Sequence, residues 1–257
     1  MSDAFRHEDD IASGLGEFLR PDTLALYRQA AAERAVTWVE SGMVVGLGTG
    51  ATAAYAIRRI GLLLENGTLR NIVAVPTSVA AESEARRCAI PLADADWDRS
   101  IDVTIDGADE VDPSLNLVKG AGGALLREKI VAQASDREII VVDETKLSLM
   151  LGTNKALPVE VVPFGWRSQA KFLESLGGQV ILRSHADGAP FRTDQENLIL
   201  DCAFGPIAQA VQLAAMLDER AGIVAHGLFL GSTSDVIVAG ARGVVRRVRH
   251  GRAHLPA

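Results

Sequence analysis

The segment VTIDGADEVDPSLNLVKGAGGALLREK, residues 103–129, concentrates side chains that can move protons and hold charge. Asp106, Asp109, Glu110 and Asp112 fall close together, Lys119 and a glycine cluster follow, and Glu128 sits near the end of the run. Two carboxylates, one ammonium and a glycine-rich backbone with accessible N–H groups can take up a proton and hold the anion left behind. The only lysines are Lys119, Lys129, Lys146, Lys155 and Lys171, against a surface otherwise charged by arginine. Four of them lie between positions 119 and 155, and lysine is the cation whose pKa shifts readily, so the clustering favours chemistry there. Closely spaced acids are also what a Mg²⁺ site uses. The spacing is not that of an EF-hand, however, and His7, His185, His226, His250 and His254 all lie outside the segment. Singly, each group has an ordinary explanation, such as an Asp-Gly turn with a solvated rim or an exposed helix carboxylate. Together they outline a site.

A second cluster, GLGTGATAA at residues 46–54, offers Gly46, Gly48 and Gly50 with Thr49 and Thr52. Placed between a strand and a helix, it combines close backbone approach with the free N–H groups of a helix N-terminus, which suits one phosphate group. It lacks the Lys-Ser/Thr of a nucleotide P-loop, and its glycine spacing does not complete a dinucleotide fingerprint. VPTS at residues 75–78 is weaker, and Ser78 is best read as the N-cap of the next helix.

The elements that must carry these loops alternate. A helix begins at Pro21-Asp22 and is expected to run to Gly42; MVVGLGTG is a strand, ATAAYAIRRIGLLLENG a helix and NIVAVPTS a strand. Helix VAAESEARRCAI, strand IDVTIDGAD, helix GALLREKIVAQAS and strand REIIVVDET follow. The alternation predicts an α/β fold: an open, mostly parallel sheet with helices on both faces. Past Lys155 the order becomes strand–helix–strand–strand–helix–strand, which predicts a smaller inserted α+β domain. The expected division is an extension over 1–20, a sheet domain over 21–156 and 229–250, and the small domain over 157–228.

Composition excludes several classes. A chain of 257 residues with 48% hydrophobic and 23% charged residues is ordinary for a soluble protein, and a net charge of −7 argues against nucleic-acid partners. The Arg-rich end from Arg242 reads as a solvated edge and frayed tail. Two cysteines, Cys88 and Cys202, do not make a disulfide framework. The acidic start is not a signal peptide, and no apolar run reaches membrane length, so a cytoplasmic setting without membrane partners is expected.

GLGTGATA, VPTS, TIDGADEVD, LVKGAGGALLREKIV, DETK and LPVEVVP, in this order, resemble the type A ribose-5-phosphate isomerases over roughly residues 22–250. The resemblance implies interconversion of D-ribose 5-phosphate and D-ribulose 5-phosphate in the non-oxidative pentose phosphate pathway. It also implies neither metal nor organic cofactor, and a homodimer or homotetramer. Carried over by position, Thr49, Gly50, Ala51 and Thr52 would bind the substrate phosphate, with Arg28 nearby. Asp106, Gly107, Ala108 and Asp109 would hold the sugar, the two aspartates assisting ring opening and hydroxyl recognition. Lys119 with Gly120, Ala121 and Gly122 would stabilise the enediolate oxygen, Glu128 would be the base, and Lys146 a further substrate contact. Three positions depart from the common pattern. Ala51 stands where serine is usual, Ala121 interrupts the glycine run, and Leu126 occupies a frequent threonine position; these bear on phosphate affinity and sugar preference more than on reaction class. A non-catalytic sugar-phosphate sensor, an amino-sugar-phosphate deaminase and a CoA transferase are the competing readings. The complete set Asp106, Asp109, Lys119 and Glu128 argues against the sensor, and the isomerase motifs make the two enzymes less favoured.

Overall fold

The computed structural model describes residues 21–94 and 96–249; the 1–20 extension and the end of the Arg-rich tail lie outside them. Helix α1 (Pro21–Val36) leads into β1 (Val44–Leu47), α2 (Ala51–Glu65), β2 (Val73–Pro76), α3 (Val79–Arg87) and β3 (Val103–Asp106). Two short strands, β4 (Glu110–Val111) and β5 (Leu117–Val118), precede α4 (Leu125–Gln133) and β6 (Glu138–Asp143). Then come β7 (Leu157–Val161), α5 (Trp166–Ser175), β8 (Gln179–Leu182), β9 (Leu198–Ala203) and α6 (Ala210–Asp218). Strands β10 (Ile223–His226), β11 (Leu228–Phe229), β12 (Asp235–Gly240) and β13 (Gly243–Val248) complete the chain.

The main sheet has the order β13-β12-β6-β3-β1-β2, parallel throughout except for β13, which runs antiparallel along the β12 edge. Alternating strand residues divide its two faces. Val45, Leu47, Ile105, Ile139 and Val141 pack with α1, α2 and α3 on one side. Ile140, Val142, Val236 and Val238 face the other side, with Ala132 of α4. That second face is covered only partly by helix: the rest of its cover is a three-stranded sheet, β11-β5-β4, contributing Val111, Leu117 and Phe229. A four-stranded antiparallel sheet, β10-β7-β9-β8, closes its own core with α5 and α6 around Val159, Leu173, Leu200 and Leu217.

One boundary needs correction. Helix α1 stops at Val36 rather than Gly42, because the Thr37 hydroxyl donates to the Arg34 carbonyl (2.8 Å) and Trp38 N–H to Ala35 (3.1 Å), tightening the last turn. The stretch AGIVAHGLFLGSTSDVIVAG forms β10, β11 and β12, each in a different sheet. The Arg-rich stretch is, as expected, a solvated edge: it forms the exposed strand Gly243–Val248 along β12. Among the described residues no helix is long and apolar enough to cross a membrane.

Candidate active site

The chain leaves β1 for β2 on one side of the sheet and crosses to β3 on the other, so the carboxyl ends of β1 and β3 open a crevice. Asp106, the last residue of β3, lies there fully buried. Its Oδ1 accepts from the N–H groups of Thr49 (3.0 Å) and Gly107 (2.7 Å). This approach explains Gly48: a Cβ there would lie 2.4 Å from the Asp106 Cα. The carboxylate therefore joins the β1 loop to the β3 loop before any ligand arrives.

Lys119, just past β5, is almost completely buried. Its Nζ lies 3.1 Å from Asp106 Oδ2 and 3.5 Å from Glu128 Oε1, and it donates to the Gly107 carbonyl. Burial opposes its charge, but Asp106, Glu128 and Glu138 outweigh that and hold its pKa above the ordinary lysine value. Glu128 stands in the first turn of α4, whose start is set by Gly120 (φ 106°) and Gly123 (φ 81°). Burial pushes the Glu128 carboxyl up to about 8; Lys119 pulls the other way, while Asp106 and Asp109 add to the rise. Its Oε2 is buried and has no hydrogen-bond partner among the described residues. A carboxylate with one oxygen beside an ammonium and the other unengaged can take a proton from a bound molecule.

Asp109 is half-buried and accepts the Ala121 N–H at 2.8 Å, tying the β3 loop to the glycine loop. Ala108 is a half-buried neighbour packed on the core beside β4. The acids that follow turn away. Glu110 accepts the N–H groups of Gly152 (2.7 Å) and Asn154 (3.0 Å), and Asp112 closes a turn onto Asn116 (2.8 Å). Two of the four clustered acids thus serve loops outside the crevice.

The glycine loop faces the β1 loop. A Cβ on Gly122 would meet Thr49 Cγ2 at 3.7 Å, and one on Gly107 the Thr49 carbonyl at the same distance. Gly50 (φ 100°) is the N-cap of α2 and has open space beside it, so the first N–H groups of α2, from Ala51 and Thr52, are presented at a helix N-terminus. The Thr49 hydroxyl is engaged internally, 2.7 Å from Thr77 Oγ1 and 2.7 Å from Ser78 Oγ. It anchors the β1 loop to the ends of β2 and α3. Ser78 caps α3 by accepting the Ala81 N–H at 3.0 Å, as the sequence indicates.

Arg28, half-buried on α1, donates its Nε to Asp143 Oδ2 (2.9 Å) at the carboxyl end of β6. Burial alone would raise Asp143, but bonds from Thr145 and Arg28 outweigh it and hold that carboxyl below the usual range. Lys146 follows in a 3₁₀ turn, Glu144–Lys146, partly exposed beyond the same strand end. Ala121 is exposed and has no left-handed φ, so its methyl costs the loop nothing. Ala51 is likewise exposed at the start of α2, and Leu126 packs beside Leu125 and Ile199.

Sequence reasoning missed the residues that reach over from the four-stranded sheet. Arg183, just past β8, donates to the Gly120 (2.9 Å) and Ala121 (3.0 Å) carbonyls and pairs with Asp201. Phe191 packs where a Cβ on Gly123 would stand, and Asp194 accepts the Val79 N–H at 2.8 Å. No local motif marks these side chains; only the β8–β9 register brings Arg183 and Asp201 together. His226 is buried, 3.5 Å from Lys129 and 3.1 Å from Asp218. Among the described residues no group of His, Cys, Asp and Glu is arranged to hold a metal ion.

Residues 73–243 match the family model described as ribose 5-phosphate isomerase A (phosphoriboisomerase A). The chain is 57% identical over 220 residues to ribose-5-phosphate isomerase A of Desulfatibacillum aliphaticivorans, covering 86% of this chain and 95% of the relative. To the Chloroflexus aurantiacus protein of that name it is 58% identical over 214 residues, covering 83% and 90%. Among solved structures, ribose 5-phosphate isomerase from Plasmodium falciparum superimposes with a TM-score of 0.85 at 37% identity, over 88% of this chain and all of that one. A D-ribose-5-phosphate isomerase in complex with phospho-erythronic acid gives 0.86 at 37% identity, over 88% and 99%. With the crevice at the sheet's switch point and these similarities over most of its length, the chain belongs to the ribose 5-phosphate isomerase A family.

Proposed function

We propose that this chain interconverts D-ribose 5-phosphate and D-ribulose 5-phosphate through an enediolate, with Glu128 carrying the proton between C2 and C1. The observation that carries this reading is the buried Glu128 carboxylate, with Oε1 3.5 Å from Lys119 Nζ and Oε2 unengaged. A carbon-bound proton beside a carbonyl needs a base stronger than a solvated carboxylate, and burial supplies that strength. As the proton leaves, negative charge grows on the sugar oxygen; Lys119 and the Gly122 N–H would hold it, the Ala121 and Gly123 N–H groups being bonded within the protein. Asp106 keeps Lys119 charged and fixed, and Asp109 is available to a sugar hydroxyl. The N–H groups at the start of α2 and the Thr52 hydroxyl would hold the phosphate, with Arg28 and Lys146 as cations at the same edge of the sheet. A neighbour solved in complex with phospho-erythronic acid supports a site that takes a phosphate and an anionic oxygen together, since that ligand joins a phosphate to a carboxylate.

The chain is expected to work in a reducing cytoplasm, with Cys88 and Cys202 unpaired, and to assemble as a homodimer or homotetramer. Large apolar side chains exposed on the four-stranded unit, Phe164, Ile181 and Val211, favour assembly. The test of the base is Glu128→Gln: turnover of ribose 5-phosphate should fall by at least about 10³-fold while binding of the sugar phosphate, measured by calorimetry, changes little. Retained turnover would remove Glu128 from the role.

A further inference from the structure

We infer that Arg183 is a positioning residue for the reaction, acting from the four-stranded sheet through two peptide groups of the glycine loop; the inference rests on the enediolate reading above. Its guanidinium is held by Asp201, with Nε 2.9 Å from Oδ2 and Nη2 2.5 Å from Oδ1. Phe191 lies against it, the ring centroid 5.7 Å from Cζ. The remaining nitrogen, Nη1, donates at once to the carbonyls of Gly120 (2.9 Å) and Ala121 (3.0 Å).

Every described peptide bond is trans, so each N–H points opposite to the carbonyl of its own peptide plane. The Gly120 carbonyl, which also accepts the Gly123 N–H at 3.0 Å, is fixed on Arg183 so that the Ala121 N–H turns away from it and meets Asp109 Oδ2 at 2.8 Å. Fixing the Ala121 carbonyl turns the Gly122 N–H the same way. The Gly122 N–H has no acceptor among the described residues, and its residue stands against Thr49 of the β1 loop. One cation therefore sets two donors: one spent on Asp109, the other left for an anionic oxygen in the crevice. A charge-assisted bond at each carbonyl also polarises the peptide and strengthens the N–H on its far side. Arg183 need not touch substrate to do this.

The geometry demands a guanidinium. An ammonium at position 183 could not keep two bonds to Asp201 and also reach both carbonyls. The test measures kcat, KM and the inhibition constant of phospho-erythronic acid for wild type, Arg183→Lys, Arg183→Ala and Glu128→Gln, with thermal unfolding of each. For Arg183→Ala we expect kcat to fall about 30- to 100-fold, KM to change by less than about threefold, and affinity for the inhibitor to fall in parallel with kcat. Millimolar guanidinium should restore part of the lost kcat, whereas NaCl of the same ionic strength should not. Arg183→Lys guards against a folding failure: it should melt near wild type yet lose at least about fivefold in kcat. Wild-type kcat in a folded Arg183→Lys or Arg183→Ala, or a loss confined to KM, would overturn the inference. So would a loss of kcat that follows the folded fraction and resists guanidinium. Glu128→Gln separates the two claims: if it keeps turnover, the base assignment fails, while the inhibitor affinities of the Arg183 variants still report on the loop.

Discussion

Replacing Glu128 by Gln should make the folded chain more stable as the pH rises, even though it removes the proposed base. Folding moves the Glu128 carboxyl from an ordinary 4.5 up to about 8, chiefly because burial disfavours the charged form. A raised folded-state value means that the native protein holds the proton more tightly than the unfolded chain. The associated stability is fully present below pH about 4.5 and is lost as pH rises through about 8. At about 1.4 kcal/mol per tenfold change in proton binding, the loss is at most about 5 kcal/mol. A glutamine cannot ionise, so the variant escapes it. Equilibrium denaturation of both proteins from pH 4 to pH 9 isolates the effect, because every other titrating group is shared. The amide's different packing against Lys119 sets an offset, and the pH dependence of the difference reports residue 128 together with Lys119, Asp106 and Asp109, whose charges are coupled to it. The variant's advantage should grow by several kcal/mol between pH 4.5 and 8 and then level off, which for a chain of this size is a relative gain of about 10 °C in melting temperature. A difference that stays flat with pH, or shrinks, would refute the claim that the carboxylate is held in its site at the expense of stability.

Two further substitutions probe the surroundings of that carboxylate. Asp109→Asn removes a negative charge that raises Glu128 while keeping an oxygen for the Ala121 N–H, so the acid limb of kcat/KM against pH should move to lower pH; an unmoved limb or one moved upward would contradict the coupling. Gly48→Ala puts a Cβ 2.4 Å from the Asp106 Cα and 2.2 Å from its Oδ1, where backbone has to shift. It should cost about 2–3 kcal/mol in urea denaturation and most of the turnover, whereas a wild-type denaturation midpoint would show that the loops do not pack as closely as described.

The main sheet was legible because each strand ends in its own chemistry. Strand β1 runs into glycines, β3 into Asp106-Gly107 and β6 into Asp143, and α2 and α3 between the first strands carry a clear helical period. The core of the site was legible for the same reason: Asp106, Asp109, Lys119 and Glu128 lie within one stretch of chain, and the fold needs only to turn it back at Gly120 and Gly123. What the sequence concealed depends on direction and register. Nothing local distinguishes Asp109, which meets the glycine loop, from Glu110, which points into the loop around Gly152. Thr49 has the composition of a ligand donor, yet Thr77 and Ser78, brought alongside by β2, take its hydroxyl. Arg183 and Asp201 pair only once β8 and β9 align with Ile181 opposite Asp201, and Arg183 reaches the glycine loop across 60 or more residues of chain. The short β11-β5-β4 sheet was hidden because two-residue strands carry no period.

A proton NMR time course in D₂O with ribose 5-phosphate, run side by side on wild type and Glu128→Gln with EDTA present, tests whether Glu128 moves the proton. Wild type should form ribulose 5-phosphate carrying solvent deuterium at C1, and the variant, folded and still binding the sugar phosphate, should neither form the ketose nor exchange the C2 proton. Ketose formation or C2 exchange by the variant at a rate near wild type would contradict the assignment of Glu128 as the base.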